Sequence, residues 1–267
     1  MKHAVADEGQ EAFRTHYNYI RSLRNLIEGS TLSYTNIGQI KLGKIPDLDS
    51  KKNLIELTKR SLSDEASIVQ VDKDYSYACA SWLPVKAYYL LFNVMLTIEY
   101  LFTLDPQSFK LGHGKCSQSF THKLATGDIA FSAPGLNRIY DKTIFTHREA
   151  PGTNLRPALM ANQHTALAMK KVARYKMEEW KRLKKISTFQ TQENRNLRDA
   201  YLQRFRLSIF EFHYHMRLRA NYHDFAFIEG VSSTETANYF NEYLTFTKSL
   251  YNALIGLKRE LVKARNG

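Results

Sequence analysis

The chain has 267 residues, 43% of them hydrophobic, with 38 Lys and Arg against 26 Asp and Glu, a formal charge of +12. That is enough apolar material for a sizeable core, and a strong enough basic excess to attract polyanions. Twelve glycines and six prolines are too few for a turn-dense all-β fold, and the two cysteines, Cys79 and Cys116, cannot build a disulfide framework or a four-ligand zinc site.

In chain order, residues 11–28 read as a helix ending near Gly29. The polar stretch 30–50, with Gly38, Gly43 and Pro46, reads as a loop or short hairpin. Asp49 or Ser50 is placed to cap a helix running to about Leu62. Residues 67–72, SIVQVD, look extended. Residues 87–104, AYYLLFNVMLTIEYLFTL, are about long enough to span a bilayer. Asn93, Thr97 and Glu99 argue instead for a buried helix in a soluble bundle. Its core face is Tyr88, Leu91, Phe92, Met95, Ile98 and Phe102, with Pro84 in the first turn and Asp105-Pro106 as the stop.

Gly112 and Gly114 mark a turn over 111–115, followed by a short helix over 117–125 and an irregular stretch over 126–153. Residues 155–186 read as a long helix starting near Pro157, and 190–222 as another. Gly230 breaks the chain. Ser232-x-x-Glu235 is a capping-box pattern that opens a last helix to about Lys263. Its broad apolar face is Phe240, Tyr243, Leu244, Leu250, Tyr251, Leu254, Leu257 and Leu261. The composition never shifts to a linker, so one elaborated all-α domain over 1–267 is expected. The polar first ten residues show no secretory pattern, and a cytoplasmic location is expected.

The basic excess is concentrated. Residues 170–219 hold fourteen Lys or Arg and five acids, a surplus of nine out of the total of +12. Tyr175, Trp180, Phe189, Tyr201 and Phe205 are interleaved with them. This is the electrostatic footprint of a nucleic-acid face, with Lys170, Lys171, Arg174, Lys181, Arg182, Lys184, Lys185 and Arg219 as the expected contacts. A plain solvated helix face is the alternative.

The segment 216–224, MRLRANYHD, carries the chemistry. Arg217 and His223 are separated by five residues, Asn221 and Tyr222 among them. A guanidinium can hold a phosphate, and an imidazole can move a proton near neutral pH. Arg206 and His213 are a similarly spaced second pair. His113, between two glycines, could touch phosphate or simply occupy a turn. His213 and His215 are two apart, so on a helix they face apart and cannot chelate one metal. Glu211 and His215 share a face, but two ligands do not make a site.

Taken in order, Tyr88-Tyr89-x-x-Phe92, Gly112-His113-Gly114, Ser119-Phe120, Arg217-x-x-Ala220-Asn221-Tyr222 and the closing amphipathic helix resemble the HEPN superfamily, named for higher eukaryotes and prokaryotes nucleotide-binding. The resemblance covers roughly residues 84–125 and 200–262. It implies a helical bundle that dimerises and, in catalytic members, a metal-independent endoribonuclease without a cofactor, of the kind found in toxin–antitoxin and antiviral defence systems. Arg217 would stabilise the phosphate, His223 would act as acid or base, and Asn221 or Tyr222 would orient the substrate. Leu218 stands where such members carry a polar residue. RNA is the implied partner, with a neutralising acidic protein as a further one. The rival reading is a non-catalytic helical adaptor or regulatory subunit that uses the same basic face.

Overall fold

The computed structural model describes residues 2–35, 37, 48–148, 161–221 and 228–266. Among these it shows eight α-helices and one two-stranded ribbon, so the fold is all-α. The helices are α1 (Lys2–Ile27), α2 (Leu48–Val71), α3 (Ser76–Thr103), α4 (His113–Thr126), α5 (Ala161–Leu183), α6 (Gln192–Gln203), α7 (Phe210–Asn221) and α8 (Ser233–Asn266). The ribbon pairs β1 (Leu32–Tyr34) antiparallel with β2 (Ile129–Phe131), with Leu32 opposite Phe131.

Helix α3 is the axis of the bundle and packs against α2, α4, α7 and α8. Every side chain from Leu90 to Leu101 is buried, which explains an apolar run with no polar face. By length and hydropathy it could cross a membrane, yet 78% of its most apolar stretch is buried inside the protein. Its polar groups are satisfied within the fold. Asn93 Nδ2 donates to the Tyr89 carbonyl at 2.8 Å, and Thr97 Oγ1 donates to the Asn93 carbonyl at 3.0 Å. Lys123 of α4 pairs with the buried Glu99 at 2.7 Å. At the far end, Arg265 of α8 donates to the Leu101 and Phe102 carbonyls, both at 2.9 Å, which caps the last turn of α3.

Helix α8 carries the face expected of it, from Phe240 through Leu261, fully against the core. Its start is the anticipated capping box. The Glu235 amide donates to Ser232 Oγ at 3.3 Å, and Ser232 Oγ donates to the Glu235 carboxylate at 2.7 Å. Helix α1 begins well before residue 11 and buries Phe13, His16, Ile20, Leu23 and Ile27, one helical stripe.

Several expectations are corrected. Residues 67–71 are not extended; they are the last turns of α2, whose stripe Ile55, Leu62 and Val69 buries onto the core. Helix α3 starts at Ser76, so Pro84 lies inside it rather than in its first turn. The expected turn at 111–115 is shorter, because α4 begins at His113 with Gly112 as its extended N-cap. Within the stretch after Gly29, β1 finds its partner across the fold in β2; residues 36 and 38–47 lie outside the described residues. Pro157 lies outside the described residues; of the helix expected over 155–186, the described part is α5.

The largest correction concerns 190–222, which is two helices and not one. Between α6 and α7 the chain turns extended, and Leu207 exchanges two backbone hydrogen bonds with Tyr140, both 2.9 Å. Phe205 and Leu207 are buried while Arg206 between them is exposed, a short alternation that ends at the buried Ser208. Ser208 then starts α7, its Oγ accepting from the Phe210 amide at 3.3 Å and meeting Thr121 Oγ1 at 2.7 Å.

Candidate functional site

Helix geometry sends Arg217 and Arg219, two residues apart on α7, to different neighbours. Arg217 faces α3. Its guanidinium lies over both Tyr88 and Tyr89, 5.3 and 5.2 Å from the ring centroids, and its Nη2 donates to Tyr89 Oη at 3.3 Å. Arg219 faces α5 and lies 4.3 Å from the Tyr175 ring centroid.

The same two tyrosines hold His113, the first residue of α4. Tyr88 Oη and His113 Nδ1 are 2.9 Å apart, and the imidazole packs against Phe92 at 4.4 Å between centroids. Burial, and then the neighbouring Arg217 charge, hold the His113 pKa below its usual 6.5. The ring is therefore neutral at physiological pH. With Nδ1–H donating to Tyr88, the Nε2 lone pair is free to take a proton; the other tautomer leaves Nε2–H to give one. Tyr88 is buried, and desolvation raises its own pKa well above 10, so its phenol stays protonated.

No carboxylate among the described residues forms an ion pair with Arg217, and its Nε is buried without a hydrogen-bond acceptor. A half-buried guanidinium lying over two rings, with no described carboxylate paired to it, can accept an anion on its accessible edge. A phosphate takes two parallel N–H bonds from such a fork.

Behind the cluster runs a polar chain into α5. The Tyr214 ring packs on Tyr88 at 5.8 Å, and its hydroxyl donates to Glu179 at 3.3 Å. Burial and Glu179 raise the Tyr214 pKa to about 12. Glu179 also lies 3.9 Å from His215 Nδ1. Here α5 and α7 border an opening of about 660 Å³ lined by Arg174, Arg182 and Arg219 together with Glu178 and Glu179.

A second opening, of about 670 Å³, lies between α4, α5 and α6. Lys184, Arg204 and Arg206 are on its wall, with His122 and the stacked pair Trp180 and Tyr201, 4.5 Å apart. No carboxylate lines it.

The predicted basic face is thus divided. Lys184 belongs to the second opening, and Arg174, Arg182 and Arg219 to the first. Lys181 pairs with Glu178 at 3.1 Å and lies over Phe189, while the half-buried Lys170 is spent on the His147 carbonyl. Lys171 is half-buried, and Lys185 is exposed just past the end of α5. The alternative pair Arg206 and His213 is not brought together. His213 is buried against Tyr243 and Phe246, and Arg206 is exposed on the far side of the α6–α7 break. His213 and His215 face opposite ways, and Glu211 is engaged by Lys176 at 2.5 Å.

Asn221 is the last residue of α7, described in its backbone only, and Tyr222 and His223 lie outside the described residues. What the sequence reading underweighted was His113. Its place among the quoted motifs, between the Tyr-Tyr pair and the arginine, was the available signal. Nearness in sequence points to His223, and packing brings His113 to the two tyrosines that hold Arg217. The chain matches no protein-family model, no curated protein and no solved structure.

Proposed function

We propose that this is an RNA-binding, HEPN-like protein and a metal-independent endoribonuclease, with Arg217 at its catalytic centre. One observation carries the reading: Arg217 is fixed over Tyr88 and Tyr89 beside a neutral His113, with no carboxylate paired to it among the described residues. The second opening, with Lys184, Arg204 and Arg206 on its wall and no described carboxylate, supplies a path for further phosphates.

In the proposed reaction the ribose 2′-oxygen attacks the adjacent phosphorus. Its proton passes to an imidazole, the P–O5′ bond breaks, and the departing 5′-oxygen takes a proton from a second acid. The products are a 2′,3′-cyclic phosphate and a 5′-hydroxyl. Arg217 stabilises charge on the phosphate oxygens as it develops. His113 is one proton-transfer group, and His223 keeps the second role that its spacing suggests.

Incubating the full chain with RNA in EDTA tests this. Cyclic-phosphate ends should form, and Arg217→Ala and His113→Ala should each lower the rate at least about a hundredfold, the usual worth of one such group. Cleavage at the wild-type rate by both folded variants overturns the site. Binding of RNA that depends on Arg217, without cleavage by wild type, assigns the adaptor role instead.

A further inference from the structure

A second cationic centre lies between α2 and α8, and it shares no residue with the Arg217 cluster. On α8, Lys248, Tyr251, Asn252, Ile255, Lys258 and Arg259 recur at steps of three and four, so one face presents all of them. On α2, Lys52, Ile55, Glu56, Lys59 and Leu62 do the same. The two faces enclose a cavity of about 530 Å³. Its floor is apolar, built from the buried Ile55, Leu62, Leu90 and Leu244. Around it stand five cations and one carboxylate, a surplus of four positive charges. That carboxylate, Glu56, is already 3.8 Å from Lys59. Lys52, Lys248, Lys258 and Arg259 have no ion-pair partner among the described residues.

Such an arrangement is unfavourable when empty. Lys258 is half-buried, and burial followed by the repulsion of Lys52 lowers its pKa below 10.5. Lys52, Lys248 and Arg259 are exposed at the rim, so solvent screens their repulsion, and it is felt most at the half-buried Lys258. A single-stranded polymer needs a long track, whereas this is a half-open hollow of ordinary small-ligand size. A compact, multiply charged anion satisfies all four cations at once.

We infer that the α2–α8 cavity binds a small anion carrying linked phosphates, through Lys52, Lys248, Lys258 and Arg259. The phosphate chain can come from an inorganic oligophosphate or from a nucleotide whose base rests on the apolar floor and Tyr251. This inference is independent of the ribonuclease reading.

Calorimetric titration of the full chain with inorganic tripolyphosphate, and separately with ATP in EDTA, tests it near neutral pH. Tripolyphosphate should bind saturably at one site per chain. Lys258→Gln and the exposed Lys248→Gln should each weaken it about tenfold, the worth of one charge-assisted hydrogen bond. Glu56→Gln should tighten it, and Arg217→Ala should leave it unchanged. ATP binding more tightly than tripolyphosphate assigns a nucleotide; equal or weaker ATP binding assigns the phosphate chain alone. Failure of both anions to bind the folded chain overturns the inference. So does binding that Lys248→Gln and Lys258→Gln leave unchanged, or that sulfate at equal ionic strength reproduces.

Discussion

At the scale of single residues, burial decides what an ionisable group can do. Arg217 and His113 keep partial access to solvent and face each other across two tyrosines, so they are available for chemistry. Three buried histidines are not. Burial holds His16, His213 and His215 down to about 3, with Lys171 adding to the effect at His16 and Lys176 at His215. The unfolded chain takes up protons on all three near 6.5, while the folded chain refuses them until about 3. Their contribution is therefore fully present above pH 6.5 and is lost as pH falls through that window. By about pH 5 the loss is about 2 kcal/mol for each histidine, or about 6 for the three, comparable with the whole stability of a typical domain. Urea unfolding at neutral pH and at about pH 5 should show a large drop in midpoint. His213→Phe should remove about a third of that drop. A midpoint that does not move over this range would show that these rings are not kept neutral by burial.

At the scale of elements, periodicity and caps were legible where one helix meets one surface. The Ser232–Glu235 box and the apolar face of α8 could be read directly, because each rests on residues three or four apart. The α6–α7 break could not. Its cause is a pairing of Leu207 with Tyr140, some sixty-seven positions away, and no local signal announces it. The site divides in the same manner. Arg217 was legible as a cation near a helix end, but its partners Tyr88 and His113 come from two other helices. The residue just past the end of α5 yields a prediction of its own. Lys185 sits at φ 55°, the left-handed position, while the Ile186 amide closes back onto the Lys181 carbonyl at 2.9 Å. Glycine is the usual occupant of that geometry. Lys185→Gly should stabilise the fold by about 1 kcal/mol, raising Tm by about 2–4 °C for a chain of this size. Lys185→Val should lower it. Equal melting temperatures for the two variants would mean that the turn is not held as described.

At the scale of the whole molecule, the proposed centre lies at the edge of an exposed aromatic face. Trp82 is 59% exposed and Tyr89 36%, seven residues apart on one side of α3, with Arg217 resting on the second. Under the proposed function this face meets its counterpart in a second copy, which brings two Arg217 and two His113 side chains near one axis. Sedimentation of the wild type should give about twice 31.0 kDa, and Trp82→Glu should give a single chain. A monomeric wild type would remove the shared-site arrangement while leaving the phosphate contact itself open to direct measurement. That contact is best read with a fluorescent RNA bearing a 2′-O-methyl group at each position, so that the 2′-oxygen cannot attack and binding is measured without cleavage. By anisotropy, Arg217→Ala with unchanged circular dichroism should bind at least about tenfold more weakly than wild type; equal affinity of the two proteins would contradict the claim that Arg217 is held in place to receive a phosphate.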